Sequence, residues 1–307
     1  MNQYDVLIVG TGPAGLSAAL YATRYKLNHL AIGEIKGGQV GFAFKICNIP
    51  TEKEILGVEL AQKMFDNVKN AGANILLGKV EFIKKTEKGF LVQTNQEEFQ
   101  AKTIILATGT KRKKLGLEKE KELQGKGVHY CATCDGFFYQ DKVVGVVGGG
   151  NAALTAALYL SNLAKKVYLI CLEKNKQELP AEIVWIDKVL ENKKIEIFWD
   201  TQVKELIGDE NLKAIVIESG NKDKELELNG LFIEIGGVAN LPKMDFSLDK
   251  DSEGLIKVDK AQQTNVKGAF AAGDVSSGSN GFKQIITAMA EGAIAVNSAL
   301  EYLKKFN

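Results

Sequence analysis

Two copies of one pattern, an apolar strand running into a glycine-rich turn that opens a helix, constrain this chain more than any other feature. In the first copy the run Tyr4 to Val9 leads into GTGPAG, with Gly10, Gly12 and Gly15 around Pro13 and Ala14, and the helical stretch Leu16 to Tyr25 follows. In the second, Val143 to Val147 leads into GGGNAA from Gly148, with Gly150 in the middle slot, Asn151 and Ala152 after it, and Ala153 in the third slot. Helix Leu154 to Leu163 follows there. This is the spacing of a dinucleotide-binding turn. The first glycine permits the tight bend, the second lets backbone N–H groups reach a pyrophosphate, and the third lets helix pack on strand. Each copy then continues into an apolar strand that ends at an acid able to accept ribose hydroxyls: Leu30 to Ile32 before Glu34, and Val167 to Leu172 before Glu173. The pattern predicts an α/β protein with two Rossmann-like dinucleotide-binding domains, each able to hold one cofactor.

The composition fits that frame and excludes several others. Glycine stands at 31 of 307 residues and proline at 4, as expected where backbone must approach a ligand rather than where linkers abound. A net charge of +1 provides no field for nucleic acid, and the KRKK run from Lys111 to Lys114 reads as a solvated hinge. The charged segment Lys111 to Lys126, between the two copies, reads as the linker. The uncharged stretches Val6 to Thr23 and Val143 to Ala164 approach membrane-spanning length, but the glycines near their starts interrupt any spanning helix, so no membrane association is expected. No basic region precedes the first apolar run, so no export signal is expected either. Four cysteines in such a chain point to a reducing, cytoplasmic setting, where a close pair is catalytic or metal-binding rather than structural.

The only close pair is Cys131 and Cys134, in a C-x-x-C spacing with His129 just upstream. It reads either as a thiol–disulfide pair or as half a zinc site. A closed zinc site wants four ligands, and the other histidine, His29, and the single cysteines Cys47 and Cys171 supply no second half, so no metal is expected. Asp135 follows directly. With Phe137 and Phe138 to desolvate it, its pKa would rise and suit it to proton transfer; the alternative is a helix N-cap. Cys47 and Cys171, in apolar sequence, read as small core residues. Further strands are expected over Ile195 to Trp199, Leu212 to Glu218, Leu231 to Ile235 and Ala269 to Ala272, with a closing helix from Gln284 to Leu303. Gly273 and Asp274 at the last strand end read as a turn or as a place where a flavin's ribityl or pyrophosphate group is hydrogen-bonded.

Taken together, the Gly10 fingerprint, GGQ at Gly37 to Gln39, Asn-x-Pro at Asn48 to Pro50, ATG at Ala107 to Gly109, CATCDGFFY from Cys131, GGGNAA from Gly148 and GD at Gly273 resemble the low-molecular-weight thioredoxin reductases in order and spacing over nearly the whole chain. The resemblance implies a homodimer of two-domain subunits. A discontinuous FAD domain, residues 1–112 and 241–307, would flank an inserted second dinucleotide domain, residues 113–240, that carries the cysteines and rotates between two poses. Gly10, Gly12, Pro13, Ala14, Gly15, Glu34, Gly38, Gln39, Asn48, Gly109, Gly273, Asp274, Lys283 and Gln284 would hold FAD. Gly148, Gly150, Asn151 and Ala152 would lie along a nicotinamide pyrophosphate. Cys134 would be the flavin-proximal thiol, Cys131 would attack the disulfide of a thioredoxin or glutaredoxin-like protein, and Asp135 would donate the proton.

The chain departs from that family's pattern where the second strand ends. The family carries a His-Arg-Arg motif and a later arginine there, which grip the 2′-phosphate of NADPH; this chain has Cys171, Leu172 and Glu173, with Gln177 and Pro180 beyond. Arginine is scarce throughout, Arg24 and Arg112 being the only two, which accounts for Lys283 beside Gln284 but not for Leu172 and Glu173. The stretch Val40 to Cys47 also lacks the family's threonine-rich polar character. Three readings follow: a dithiol–disulfide oxidoreductase fed by NADH, ferredoxin or a deazaflavin; an NADPH enzyme that uses Lys174 and Lys176; and a flavin redox sensor without turnover.

Overall fold

The computed structural model describes residues 3–43, 45–95, 97–220 and 222–305; Phe44, within the Val40 to Cys47 stretch, lies outside them. The chain divides into two compact units, Met1–Lys111 with Val238–Asn307, and Arg112–Gly237. No helix among the described residues is long and apolar enough to cross a membrane.

In the first unit the strand Gln3–Val9 lies at the centre of a sheet, parallel to Glu98–Leu106 on one side and His29–Gly33 on the other. Its side chains alternate between two cores, as the period of two requires. Val6 and Ile8 face the helices Pro13–Arg24 and Ile285–Lys304, while Leu7 and Val9 face Ile83, Phe90 and Ala271. Coverage on both faces explains why the strand is a continuous apolar run rather than an alternating one. The two helices approach closely because small residues line the contact: a Cβ on Gly292 would overlap the Ala14 carbonyl.

The second unit repeats the plan with five parallel strands, in the order Val128–His129, Gly230–Ile233, Val143–Val147, Lys166–Ile170 and Ile195–Phe198. Val144 and Val146 pack with the helix Asn151–Ser161, and Val147 packs on the opposite face with Ile215 and Ile217 of an antiparallel three-stranded sheet. The strand Lys166–Ile170 stops before Leu172, which is 69% exposed.

The segment read as a linker is largely part of this second unit. Leu123 is fully buried, and the buried Glu120 carboxylate accepts hydrogen bonds from the backbone N–H groups of Leu115, Gly116 and Leu117. The charges misled because one of them folds inward to satisfy a turn instead of facing water. Arg112 likewise does not serve a free hinge: it pairs with Glu234, whose side chain is only 4% exposed.

Burial pushes the Glu234 carboxyl up to about 7, against the pull of the Arg112 guanidinium. A carboxyl whose folded pKa is raised binds more protons in the native state. Its stabilising contribution is therefore present below about pH 4.5 and lost as pH rises through about 7, a change of about 3 kcal/mol. E234Q should flatten the pH dependence of urea unfolding over that range. Fluorescence of Trp185 and Trp199, both in this unit, reports it. Parallel curves for the variant and the parent chain would refute the assignment.

Candidate functional site

In the first unit the glycine turn is shaped by three different demands. Gly10 has φ 119°, and a Cβ there would overlap the Ala107 carbonyl; a Cβ on Gly15 would overlap the Gly10 carbonyl. Both positions are therefore required by the fold itself. Gly12, the N-cap of the helix with Pro13 in its first turn, has φ −77° and would meet nothing nearer than the Gly38 Cα at 3.9 Å. The space before Gly12 is open, and N–H groups of the first helical turn without intrahelical partners bound it.

Of the other expected residues of this unit, Gly38 and Gly273 pack on that turn, while Gln39 with Thr110 and Asn48 with Gln284 form two separate pairs. Gly38 packs on the turn so closely that a Cβ would lie 2.8 Å from the Gly12 Cα. The Gln39 side-chain amide donates to the Thr110 carbonyl, next to Gly109 with φ 64°. Asn48 Nδ2 donates to Gln284 Oε1 at 2.8 Å, and Gln284 caps the helix Ile285–Lys304. A Cβ on Gly273 would lie 2.9 Å from that of Ala14, and the Gly273 N–H donates to the buried Glu291 carboxylate at 2.7 Å. Burial raises the Asp274 carboxyl above its ordinary range, opposed by Lys283 and reinforced by the Glu291 charge. Glu34 is exposed just beyond the strand His29–Gly33, and the Thr11 hydroxyl donates to the Ile35 carbonyl at 2.8 Å, tying this loop to the turn. Thr11 escaped the sequence reading because a variable position of a glycine motif carries no signal of its own. Thr108 Oγ1, inside the ATG segment, is buried without a hydrogen-bond partner among the described residues.

The turn of the second unit shows the same division of labour. Gly148 has φ 131° and would overlap the Glu234 carbonyl if substituted, whereas a Cβ on Gly150 would meet nothing closer than the Pro180 carbonyl at 3.8 Å. Asn151 is held by Glu182, whose N–H donates to Asn151 Oδ1 at 2.7 Å, and Ala152 follows it in the first helical turn. The Glu173 carboxylate lies against Gly149, where a Cβ would overlap it. Its Oε2 is buried with no hydrogen-bond partner among the described residues. Lys174 and Lys176 are exposed on the loop that follows.

Cys131 and Cys134 form a disulfide with Cα atoms 5.3 Å apart. Cys131 is the N-cap of the short helix Ala132–Asp135, and the Cys134 N–H donates to Cys131 Sγ at 3.2 Å. Cys134 is the more exposed of the two. Asp135 ends that helix and stands at the N-cap position of the 3₁₀ turn Gly136–Tyr139, but its side chain makes no capping bond there. Asp135 Oδ2 instead lies 2.9 Å from His129 Nδ1. Phe137 and Phe138 do not shield it, being 69% and 67% exposed. Adjacent residues on a short helical turn point in different directions, and the sequence does not say which.

His129 is buried between the Phe232 ring, stacked at 5.2 Å, and Tyr139, whose hydroxyl is 2.6 Å from Nε2. Burial and the Asp135 charge push the Tyr139 hydroxyl up to about 12. In sequence His129 reads only as a possible metal ligand; the signal for this role is its place on the short buried strand Val128–His129, two residues before the cysteine pair. Of the two single cysteines, Cys171 is buried, donates to the Gly148 carbonyl at 3.4 Å and is pushed up to about 12, mainly by burial. Cys47, expected in the core, is exposed: the short strand Lys45–Ile46 buries Ile46 and turns its neighbour outward.

The chain matches the model of the pyridine nucleotide-disulphide oxidoreductases over residues 4–292. It is 36% identical to the thioredoxin reductase of Bacillus subtilis over 98% of this chain and 95% of that one. Among solved structures it resembles the thioredoxin reductase of Lactococcus lactis, with a TM-score of 0.93 and 32% identity over 98% of this chain and 99% of that one. It also resembles the thioredoxin reductase of T. acidophilum, with a TM-score of 0.91 and 34% identity over the whole of both chains. With its two Rossmann-like units and a redox disulfide at Cys131 and Cys134, the chain belongs to the pyridine nucleotide-disulphide oxidoreductases and, within them, to the low-molecular-weight thioredoxin reductases.

Proposed function

We propose that the chain reduces the disulfide of a thioredoxin or glutaredoxin-like protein through Cys131 and Cys134, with FAD held in the first unit and a donor other than NADPH. The observation that carries the donor assignment is the Glu173 carboxylate lying against Gly149 with one oxygen unpartnered. The residues around Gly12 fit an FAD pyrophosphate, since the cradle is open and the neighbouring positions are closed by backbone. Gly10, Gly12, Pro13, Ala14, Gly15, Glu34, Gly38, Gln39, Asn48, Gly109, Gly273, Asp274, Lys283 and Gln284 would hold it. Bound there, FAD would supply two-electron transfer to the disulfide. Gly148, Gly150, Asn151, Ala152 and Glu173 would hold a nicotinamide nucleotide.

In this reading the Cys131 thiolate attacks one sulfur of the substrate disulfide, and the leaving sulfur takes a proton from Asp135. Cys134 then gives up its thiol proton and attacks Cys131 in the mixed disulfide; the bond from Cys131 to the substrate sulfur breaks, and that second sulfur leaves as a thiol with the proton that Cys134 lost. The enzyme dithiol is oxidised to the Cys131–Cys134 disulfide as one substrate disulfide becomes two thiols. Disulfide turnover separates this reading from that of a sensor. The chain would act as a homodimer, as the resemblance implies, in the reducing, cytoplasmic setting that its cysteine usage points to.

Glu173 would accept the ribose hydroxyls of NADH, and the same carboxylate would repel a 2′-phosphate. Loss of the charge-assisted bonds that an arginine cluster supplies, each worth roughly 1.5–3 kcal/mol, sets the NADPH penalty at about a hundredfold or more in affinity. Anaerobic titration of the flavin with NADH, NADPH and reduced ferredoxin is the test. NADH or ferredoxin should reduce it at concentrations where NADPH does not. Rapid reduction by micromolar NADPH would overturn the assignment and show that Lys174 and Lys176 reach the phosphate.

A further inference from the structure

We propose that His129 is a positioning residue that, backed by the Tyr139 hydroxyl, holds the Asp135 carboxyl in one orientation beside the redox cysteines. The proposal rests on the reading of Asp135 as the proton donor. Three observations point the same way. His129 Nδ1 is 2.9 Å from Asp135 Oδ2, and Nε2 is 2.6 Å from the Tyr139 hydroxyl, so both ring nitrogens are engaged. The imidazole is 6% exposed and lies between Phe232, stacked at 5.2 Å, and the edge of Tyr139 at 5.3 Å, which leaves it no room to turn. Asp135, by contrast, keeps about a third of its side-chain surface in solvent and can exchange protons there.

The tautomer follows from the partners. The Tyr139 hydroxyl keeps its proton far above neutral pH and donates it to Nε2. A neutral imidazole then carries its own proton on Nδ1 and donates it to Asp135 Oδ2. If Asp135 is protonated instead, its O–H donates to Nδ1, and Nε2–H donates to the Tyr139 oxygen. The same three side chains thus satisfy both protonation states of the carboxyl without moving, as a residue that gives up and regains a proton requires. A histidine conserving only the packing would need neither contact.

The test uses FAD-loaded protein reduced anaerobically with dithionite and mixed with excess oxidised bacterial thioredoxin in a single turnover. H129L should slow enzyme reoxidation about tenfold, and H129N, whose side-chain amide reproduces the Nδ1–H donor, should recover most of that loss. Y139F should give a smaller loss and keeps the aromatic packing should H129L fail to fold. H129L combined with D135N should be no slower than D135N alone, because His129 acts only through that carboxyl. With 5,5′-dithiobis(2-nitrobenzoate), whose leaving thiolate needs no proton, H129L should match the parent chain. Additive effects of H129L and D135N, equal losses with both disulfides, or no loss in either Y139F or H129L overturns the proposal. An unchanged rate in D135N overturns the proton-donor reading, and the proposal with it.

Discussion

Replacing Gly12 with valine is expected to yield a folded protein without flavin colour. The substitution is sterically free within the chain, since a Cβ there meets only the Gly38 Cα at 3.9 Å and φ is −77°, a value any residue adopts. The side chain would instead fill the space in which a pyrophosphate contacts the first turn of the helix. Losing several charge-assisted bonds from backbone N–H groups, each worth roughly 1.5–3 kcal/mol, lowers FAD affinity by about a thousandfold. Gly10→Val and Gly15→Val should behave differently and fail to fold, because each Cβ would overlap a backbone carbonyl. Absorbance at 450 nm per chain and thermal unfolding of the three variants separate the cases. Stoichiometric FAD in a folded Gly12→Val protein would show that the pyrophosphate lies elsewhere.

Replacing either cysteine of the pair with serine should lower thioredoxin reduction by about a thousandfold or more, since no thiolate then completes the exchange. The two variants should differ spectroscopically. Cys131→Ser leaves a thiolate at Cys134, expected to be the sulfur that exchanges electrons with the flavin and so to give a long-wavelength absorption band with oxidised FAD. Cys134→Ser should not give that band. Residue exposure alone favours the opposite order, because Cys134 is the more exposed residue of the pair. The helix argues for Cys131 as the attacking group: it is the N-cap, and its sulfur accepts the Cys134 N–H at 3.2 Å, an arrangement that favours a thiolate. A band in Cys134→Ser and none in Cys131→Ser would reverse the two roles while leaving the family assignment intact.

The glycine turns and the strands before them were legible in the sequence because residue types within a few positions mark them. Glycine stands where φ is positive, at Gly10 and Gly148, and an unbroken apolar run such as Val6 to Val9 marks a covered strand, although the atoms that close in on them, such as the Ala107 and Glu234 carbonyls, come from far along the chain. The C-x-x-C pair was legible for the same reason, as three residues of helical turn bring both sulfurs together. What the sequence left open depends on residues far apart along the chain. Glu234 is buried against Arg112, and Phe232 stacks on His129 from more than a hundred residues away in sequence. The direction of a side chain on a short turn is set by what packs against it. That is why Asp135 faces His129 while Phe137 and Phe138 face solvent, and why Cys47 lies outside the core. Amino-acid order alone determined where backbone must bend and which two cysteines pair. Only the tertiary structure decided which charges are buried and paired, because desolvation and partner distance are properties of the packed chain and not of any segment of it.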